Sequence, residues 1–296
     1  MSSTRPRSSM VLLTALSMAW MAGCGDDDDG VAPPTTGSLT VSVVTAGAPA
    51  DEDGYTLTVS GTSRTVTGTS IQETFADLPI GSSSVELGDV QENCTIGGAN
   101  PVSVTIPGGS NASASFDVTC AVPAVTADGV RGPFEWFGAT EVDLFAGATL
   151  IHRTDGTSLF LGFEVEDPTL EANDVLRVRF DDEANGVLDA SENEISLTTS
   201  RFFDLHFNGE FWARADPQAH GEGAVAAAAN DTNFFEFAVP LDSGDPLDFS
   251  LTAGATLGYC VIYTKDGTAT SATMFPAGCN RAGADLTRFA TLVVGG

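Results

Sequence analysis

The sequence predicts an all-β protein in which a small β-sandwich is followed by a larger one. Apolar residues recur at every second position in short runs, which is the period of a half-buried strand, and glycine and proline separate the runs. The segment 38–120 shows no helical period, and a chain of 296 residues has room for two domains after an N-terminal targeting segment. We therefore assign residues 38–121 to the first sandwich and residues 122–296 to the second.

Residues 1–23 have the features of a signal peptide for export. A basic start is followed by an apolar run over residues 10–21 and by Ala-Gly-Cys at residues 22–24. This arrangement resembles a bacterial lipoprotein signal, in which Cys24 becomes the lipidated, palmitate-carrying first residue of the mature chain. The apolar run is shorter than the about 20 residues that span a bilayer, so a transmembrane anchor explains it less well. Because Gly25 rather than aspartate follows the cysteine, the same resemblance implies attachment to the outer membrane.

Residues 24–37 form a polar tether, and the chain as a whole is strongly acidic. The tether combines four consecutive aspartates with a proline-rich stretch and has too few apolar residues to fold. The formal net charge is -28, and Lys265 is the only lysine. Nucleic acid phosphates and anionic membrane surfaces repel such a chain, so we expect no nucleic acid partner and membrane contact through the lipid anchor. The same charge attracts divalent cations.

Cysteine usage agrees with export to an oxidising compartment. Apart from Cys24, two cysteines, Cys94 and Cys120, lie in the first predicted domain and two, Cys260 and Cys279, lie in the second. Four cysteines allow three pairings, and one disulfide inside each domain is the simplest of them. Zinc binding by these cysteines is a poorer alternative, because the spacings are long and no histidine lies near either pair.

The first domain consists of alternating runs and one recognisable segment. The alternating apolar positions are Leu39, Val41 and Val43, then Tyr55, Leu57 and Val59, then Val102, Val104 and Ile106, and finally Phe116 and Val118. Residues 77–87 resemble the turn-and-strand signature of transthyretin-like, carboxypeptidase-regulatory-like domains, which occur as spacers in surface proteins. The resemblance implies that the first domain holds the second away from the membrane.

An acidic loop is the most specific sequence pattern of the second domain, because it fixes the residue type at many positions. Residues 181–192 place oxygen-bearing side chains at the first, third, fifth, ninth and twelfth positions and glycine at the sixth, which is the spacing of an EF-hand calcium loop. Calcium needs about 6 to 8 oxygen ligands, and a chain supplies them locally only by wrapping tightly, which Gly186 permits. The predicted ligands are Asp181, Glu183, Asn185, the carbonyl group of Val187, Asp189 and Glu192.

The flanks of this loop predict strands rather than helices. Residues 175–180 alternate between apolar and basic side chains, and residues 194–198 alternate again. We therefore predict a structural calcium loop that joins two strands, not a sensor. The alternative is an acidic, solvated hairpin without a metal ion, because Asp, Asn and Gly also dominate ordinary turns.

The loop is one of a series of features in the second domain that together resemble a known family. The others are Asp-Gly at 128–129 with Glu-Trp at 135–136, a strand over 158–168 that a tight turn at Asp155 introduces, a strand over 234–241, and a nearly continuous apolar strand over 257–263. The series resembles a carbohydrate-binding module of family 9, within the DOMON-like group, over about residues 128–294. The resemblance implies a two-sheet antiparallel jelly-roll sandwich with bound calcium.

Trp212 is the candidate ligand-binding residue. Modules of this kind hold sugars against tryptophan faces, because the C–H groups of a pyranose suit an aromatic ring. We expect Trp136 in the core, whereas Trp212 lies beside a loop rich in charge and glycine. The chain has no Gly-x-Ser-x-Gly, His-Glu-x-x-His or phosphate-loop motif, so we predict no catalytic residues and no enzyme activity.

Two functions from different classes fit the sequence. The first is a non-catalytic, lipid-anchored surface protein whose second domain binds a neutral or cationic glycan, with Ca²⁺ as a structural cofactor. The alternative is a structural or assembly lipoprotein that uses the same sandwich for protein contacts. A polar groove beside Trp212 would favour the first, and a flat apolar face would favour the second.

Overall fold

The computed structural model describes residues 32–187, 192–207, 214–267, 272–279 and 287–295. In these residues the regular structure is almost entirely β-strand, which confirms the all-β prediction. The strands are β1 (Thr36–Gly47), β2 (Tyr55–Val59), β3 (Thr62–Val66), β4 (Ser70–Pro79), β5 (Gly81–Gly88), β6 (Cys94–Gly97), β7 (Val102–Ile106), β8 (Asn111–Cys120), β9 (Thr140–Phe145), β10 (Ala148–Thr154), β11 (Ser158–Glu166), β12 (Val175–Asp181), β13 (Asn193–Thr198), β14 (Arg201–His206), β15 (Arg214–Ala215), β16 (Glu222–Ala227), β17 (Thr232–Pro240), β18 (Thr256–Thr264), β19 (Ala272–Phe275) and β20 (Ala290–Val293). A 3-10 turn at Lys265–Gly267 follows β18.

The first core lies between two four-stranded sheets with the strand orders β4-β1-β8-β6 and β3-β2-β5-β7. β1 and β8 run parallel, whereas the other neighbouring strands in these sheets pair antiparallel. Leu39, Val41 and Val43 on β1 belong to the same buried cluster as Leu57 and Val59 on β2. The alternating pattern of β1 therefore buries every second side chain, as its period predicted.

The second core lies between a five-stranded sheet, β16-β17-β11-β10-β9, and a second sheet with the order β15-β14-β13-β12-β18-β19, in which β20 also pairs with β18. The pairs in both sheets are antiparallel. β18 is buried from Leu257 to Thr264 and pairs with β12, β19 and β20. The continuous apolar run over 257–263 is therefore a central strand, as predicted.

Aromatic rings fill the space between these two sheets. Phe235 of the five-stranded sheet packs edge to face against Tyr263 of the other sheet, with ring centroids 5.9 Å apart. Phe237 makes a similar contact with Phe202 at 6.3 Å. Edge-to-face pairs stabilise by about 0.5–1.5 kcal/mol beyond the area they bury. These contacts hold the two sheets together, so the hairpins that extend from the sheets start from a rigid base.

The segment before β9 covers the outer face of the five-stranded sheet. Trp136 is buried there against Phe234, with ring centroids 6.2 Å apart, and Ile151 and Phe160 belong to the same cluster. Gly162 makes room for both rings, because a Cβ at this position would lie 2.8 Å from Phe234 and 3.0 Å from Trp136. The prediction that Trp136 is a core residue is confirmed.

The structure contains both predicted disulfides. Cys94–Cys120 joins directly opposed positions of β6 and β8. Cys260–Cys279 joins β18 to the segment that follows β19, where both cysteines are buried with Ile262. The choice of one disulfide in each half of the chain, out of three pairings, is therefore confirmed.

The predicted signal peptide, lipid anchor, domain limits and transthyretin-like resemblance are not tested by the described residues. Residues 1–31, with Cys24, lie outside the described residues, so the signal peptide and the lipid anchor stay predictions. The buried residues of the first core lie between Leu39 and Cys120, and those of the second between Leu144 and Val294. The domain limits and the transthyretin-like resemblance also stay predictions. The described strands and turns include no helix long and apolar enough to cross a membrane.

Candidate functional site

The acidic loop joins β12 to β13 as a hairpin. These strands pair antiparallel, from Val175 opposite Thr198 to Arg179 opposite Glu194. The alternating segments on both sides of the loop are therefore strands, as the sequence predicted, and the loop does not belong to a helix-loop-helix unit.

The carboxylate of Asp181 organises the first half of the loop. Its Oδ1 accepts a hydrogen bond from the backbone N–H of Asn185 at 3.1 Å, and its Oδ2 accepts one from the backbone N–H of Gly186 at 2.8 Å. Gly186 has a φ of +76°, a left-handed conformation that glycine adopts without steric cost. The chain therefore wraps closely around the buried carboxylate of Asp181.

The remaining predicted calcium ligands lie in different environments. Glu183 is exposed, and its Oε2 accepts a hydrogen bond from Asn185 Nδ2 at 2.6 Å. Val187 is exposed, whereas Glu192 is buried. Asp189 lies outside the described residues. The six-residue ligand set therefore stays a prediction; among its described members, Asp181 and Glu192 have buried carboxylates.

Two further clusters bring together side chains that could hold a metal ion. One consists of Asp167, Glu171 and Asp174, and the other of Asp204, His220 and Asp248. In each cluster one ligand atom per residue lies within 4.8 Å of the others. Sequence reasoning missed both clusters. The acidic exit of the strand over 158–168 was a signal for the first, whereas the second depends on the fold.

A lysine is already paired with one carboxylate of the first of these clusters. Lys265 Nζ lies 2.5 Å from Asp167 Oδ1, and the hydroxyl group of Tyr263 donates to Asp167 Oδ2 at 2.6 Å. Burial alone would raise the pKa of Asp167, but these hydrogen bonds and those from Thr169 hold the pKa below its usual value. Asp167 is therefore ionised and paired inside the protein, which favours a structural role for this cluster.

A cleft with an aromatic border lies at the β9 edge of the five-stranded sheet. It has a volume of about 230 Å³. Its lining includes Phe137, Thr140, His152, Arg153, Thr154 and Val293. Phe137 is 50% exposed. Thr140 on β9 lies opposite His152 on β10, so the antiparallel pairing brings the hydroxyl group and the imidazole together. The cleft thus combines an exposed ring with hydrogen-bonding groups.

His152 and Arg153 set the electrostatic character of this cleft. Burial lowers the pKa of His152, so its imidazole is neutral at neutral pH, a form with one donor nitrogen and one acceptor nitrogen. Arg153 donates from Nη1 to the backbone carbonyl group of Glu135, which fixes the guanidinium. Among the described residues no carboxylate lines the cleft, although the chain carries a net charge of -28.

Trp212 lies outside the described residues, so the ligand site expected from the sequence stays a prediction. Phe137 is the exposed aromatic residue that sequence reasoning missed. It follows Trp136 directly in an irregular turn segment. Such a segment has no periodicity that tells which of two adjacent aromatic side chains is buried.

No family model matches the sequence, and no curated protein matches it. Among solved structures, the chain is similar to a carbohydrate-binding module of family 9 from Caldicellulosiruptor kristjanssonii in complex with cellotriose, with 11% identity and a TM-score of 0.44 over 59% of this chain and 91% of that chain. A family 9 module from the same organism in complex with glucose has 12% identity and a TM-score of 0.41 over 59% and 93%. The full-length major pilin SpaD from Corynebacterium diphtheriae has 13% identity and a TM-score of 0.24 over 81% and 64%. At this level of similarity, the ligands in these complexes are properties of those proteins.

Proposed function

We propose that this chain is an exported, lipid-anchored, non-catalytic protein whose C-terminal sandwich binds a neutral glycan and is stabilised by calcium. The observation that carries the proposal is the cleft beside Phe137, which offers an exposed ring, two threonine hydroxyl groups and a neutral imidazole within one recess. These are the groups that a sugar ring uses, because its C–H face packs on an aromatic ring and its hydroxyl groups exchange hydrogen bonds with polar side chains at the border.

The charge of the cleft favours a neutral ligand. The described lining residues include Arg153 and no carboxylate, so a neutral sugar enters without desolvating a negative charge. An anionic polysaccharide would be attracted by Arg153 but repelled by the rest of a chain with a net charge of -28. The cleft is smaller than the about 300–1,000 Å³ of pockets that enclose drug-sized ligands, which agrees with weak binding to one or two sugar rings.

Calcium and the lipid anchor have supporting roles in this proposal. Calcium in the loop 181–192 would hold β12 and β13 together without touching the sugar. Cys24 would carry the lipid, the segment 24–37 would act as a tether, and the sandwich over 38–121 would act as a spacer.

Binding of the full chain to a panel of neutral oligosaccharides, followed by titration calorimetry, tests the proposal. The panel contains glucose and cellotriose as small probes. Phe137→Ala should weaken binding about tenfold, because loss of an aromatic contact of about 1–1.5 kcal/mol changes an equilibrium constant by that factor. Ile80→Ala, which shortens an exposed apolar side chain in the N-terminal sandwich, is the matched control and should bind as the wild type does.

Trp212→Ala locates the sugar within the C-terminal sandwich. Loss of binding in Trp212→Ala together with unchanged binding in Phe137→Ala would move the site away from the cleft.

A protein contact is the alternative use of the same cleft. Phe137 is 50% exposed and Val293 is 58% exposed at its border, and exposed apolar side chains of this kind also suit a protein partner. Absence of binding to every sugar, with a reproducible cross-linked protein partner at these two residues, would support the assembly function instead.

A further inference from the structure

A mixed cluster of carboxylate and imidazole groups joins the two sheets of the C-terminal sandwich. Asp204 is on β14, His220 precedes β16, and Asp248 follows β17. One ligand atom from each of these side chains lies within 4.8 Å of the other two. Asn193, at the start of β13, lies between the carboxylates. Its Nδ2 is 3.1 Å from Asp204 Oδ1 and 3.0 Å from Asp248 Oδ1.

The cluster is built into the protein rather than spread over its surface. Asp204 is buried, and its Oδ2 accepts a hydrogen bond from the backbone N–H of His220 at 2.7 Å. Ser243 donates to Asp248 Oδ2 at 2.6 Å, which holds that carboxylate in place. The side chain of His220 is 27% exposed, so the cluster is accessible from solvent on this side.

Three polar atoms in or near this cluster lack a hydrogen-bond partner among the described residues. Asn193 is only 2% exposed, and its Oδ1 has no hydrogen-bond partner among the described residues. His220 Nδ1 lies 2.8 Å from Asp248 Oδ2 but forms no aligned hydrogen bond. The side chain of Asp216 is fully buried, and its Oδ2 also has no hydrogen-bond partner in the part of the chain described. Buried polar atoms are normally bonded, and an unsatisfied one costs about 1–3 kcal/mol.

The amide of Asn193 could supply a further oxygen ligand to a cation. The oxygen and nitrogen of an amide occupy nearly equivalent positions, and the hydrogen-bond network decides which is which. Without an ion, Nδ2 faces the two carboxylates and donates to both. With the amide rotated by 180°, Oδ1 would face the oxygens of Asp204 and Asp248. This arrangement is unfavourable without a cation, whereas with a cation it converts the unsatisfied oxygen into a ligand.

The negative charge around the cluster is compensated poorly by the protein itself. In the part of the chain that the structure describes, the ion pairs of Asp216 and Asp248 are with His206 and His220, which are charged only when protonated. A bound dication would compensate this charge.

We infer that Asp204, His220 and Asp248, with the amide oxygen of Asn193, bind a divalent transition-metal ion of the Zn²⁺ class. The types of donor atom in the cluster, carboxylate oxygen and imidazole nitrogen, indicate which metal would bind. Calcium takes oxygen ligands at a coordination number of about 6 to 8, whereas Zn²⁺ takes about four ligands and accepts imidazole nitrogen together with carboxylate oxygen. The ion would link β13 and β14 of one sheet to the segments that flank β16 and β17 of the other. This inference goes beyond the proposed glycan binding and does not depend on it.

Metal titration of the full chain tests the inference. The protein is treated with chelator and dialysed, and Zn²⁺ and Ca²⁺ are then titrated separately by calorimetry. Zn²⁺ should bind with one equivalent that Ca²⁺ does not displace, and it should raise the melting temperature. His220→Ala and Asp248→Asn should each weaken zinc binding about tenfold or more. Glu222→Gln, which removes an exposed charge from β16, is the matched control and should leave zinc affinity unchanged.

Three outcomes would overturn the inference. Zinc affinity that survives both His220→Ala and Asp248→Asn would identify binding elsewhere on the acidic surface. Zinc that binds no more tightly than calcium would contradict the selectivity of the donor set. Zinc binding without an increase in melting temperature would exclude a link between the sheets. Because His220 is partly exposed, His220→Ala should fold, and its melting temperature in chelator should match that of the wild type.

Discussion

Glu236 is fully buried on the outer face of the five-stranded sheet, where it fixes the segment that covers this face. Its Oε2 accepts hydrogen bonds from the backbone N–H groups of Asp128 at 3.1 Å and Gly129 at 2.7 Å, and its Oε1 lies 3.3 Å from Trp136 Nε1. Burial raises the pKa of Glu236 from 4.5 to about 7, the Gly129 hydrogen bond opposes this rise, and the carboxylates of Glu135 and Asp128 add to it. The packing of the covering segment on this face therefore depends on the protonation of Glu236, and so on pH.

The pKa of Glu236 predicts a stability that falls as pH rises. Because the folded chain holds this proton more tightly than the unfolded chain, the stabilisation is complete below pH 4.5 and is lost as pH rises through about 7. Each pH unit in this range lowers the free energy of unfolding by at most about 1.4 kcal/mol for this group. Calorimetry in chelator between pH 5 and 8 should give a shallower dependence for Glu236→Gln than for the wild type. Identical slopes would show that Glu236 does not titrate in this range.

Gly162 is predicted to be essential for packing on the same face. Gly162→Ala should lower the free energy of unfolding by about 1–3 kcal/mol, because its Cβ would lie 2.8 Å from Phe234 and force the rings to move. Denaturant unfolding measures this change. Gly88→Ala, also in a strand, is the control, since its Cβ would have its nearest neighbour at 3.7 Å. A loss of stability equal in both variants would reject the steric explanation.

The β12–β13 hairpin shows how far a local pattern determines structure. Strands with a period of two on both sides of the loop were predicted correctly, because alternation specifies which face of a strand is buried. The tight wrapping around Asp181 was also predictable, since the positions of glycine and acidic residues in a loop are a local property. The parallel pairing of β1 with β8 was not predicted, because it joins segments from opposite ends of the first core.

The cluster of Asp204, His220 and Asp248 could not be predicted for the same reason. Asp204 was visible only as an acidic residue in a short apolar strand, and His220 and Asp248 lie in irregular segments. Their proximity depends on the register of β13 against β14 and on the packing of the two sheets. No spacing in the sequence carries this information.

Asp181→Ala is predicted to remove most of the response of the protein to calcium. For the wild type, calcium at a hundredfold excess over Kd should add about 2.7 kcal/mol to the free energy of unfolding relative to chelator. Asp181→Ala should lose most of this increment, because it removes the first predicted ligand. Calorimetry with calcium and with chelator measures the difference.

Asp155→Ala is the control for the loop experiment. Asp155 accepts hydrogen bonds from Thr157 and Ser158 in the turn between β10 and β11, far from the calcium loop in sequence. Its loss should lower the melting temperature equally with and without calcium. A wild-type melting temperature that calcium does not change would leave the loop as an acidic hairpin without a metal ion.

The proposed lipid anchor at Cys24 is the feature that would attach the whole molecule to a membrane. A net charge of -28 disfavours direct contact with anionic membranes, so attachment would depend on the lipid. We predict that mass spectrometry of the mature N-terminus finds a lipidated Cys24. Cys24→Ser should release the protein from the membrane fraction. An unmodified Cys24, or a mature chain that starts elsewhere, would contradict the anchor.

Mapping of chemical shifts during titration with the best oligosaccharide of the panel tests the proposed glycan site beside Phe137. We predict that the largest changes fall on the amide and side-chain signals of Phe137, Thr140, His152 and Arg153, and that Phe137→Ala suppresses them. Val44, an exposed residue of the N-terminal sandwich, should show no change. Saturable changes confined to residues outside this cleft, or no changes with any sugar that binds, would contradict a glycan site beside Phe137.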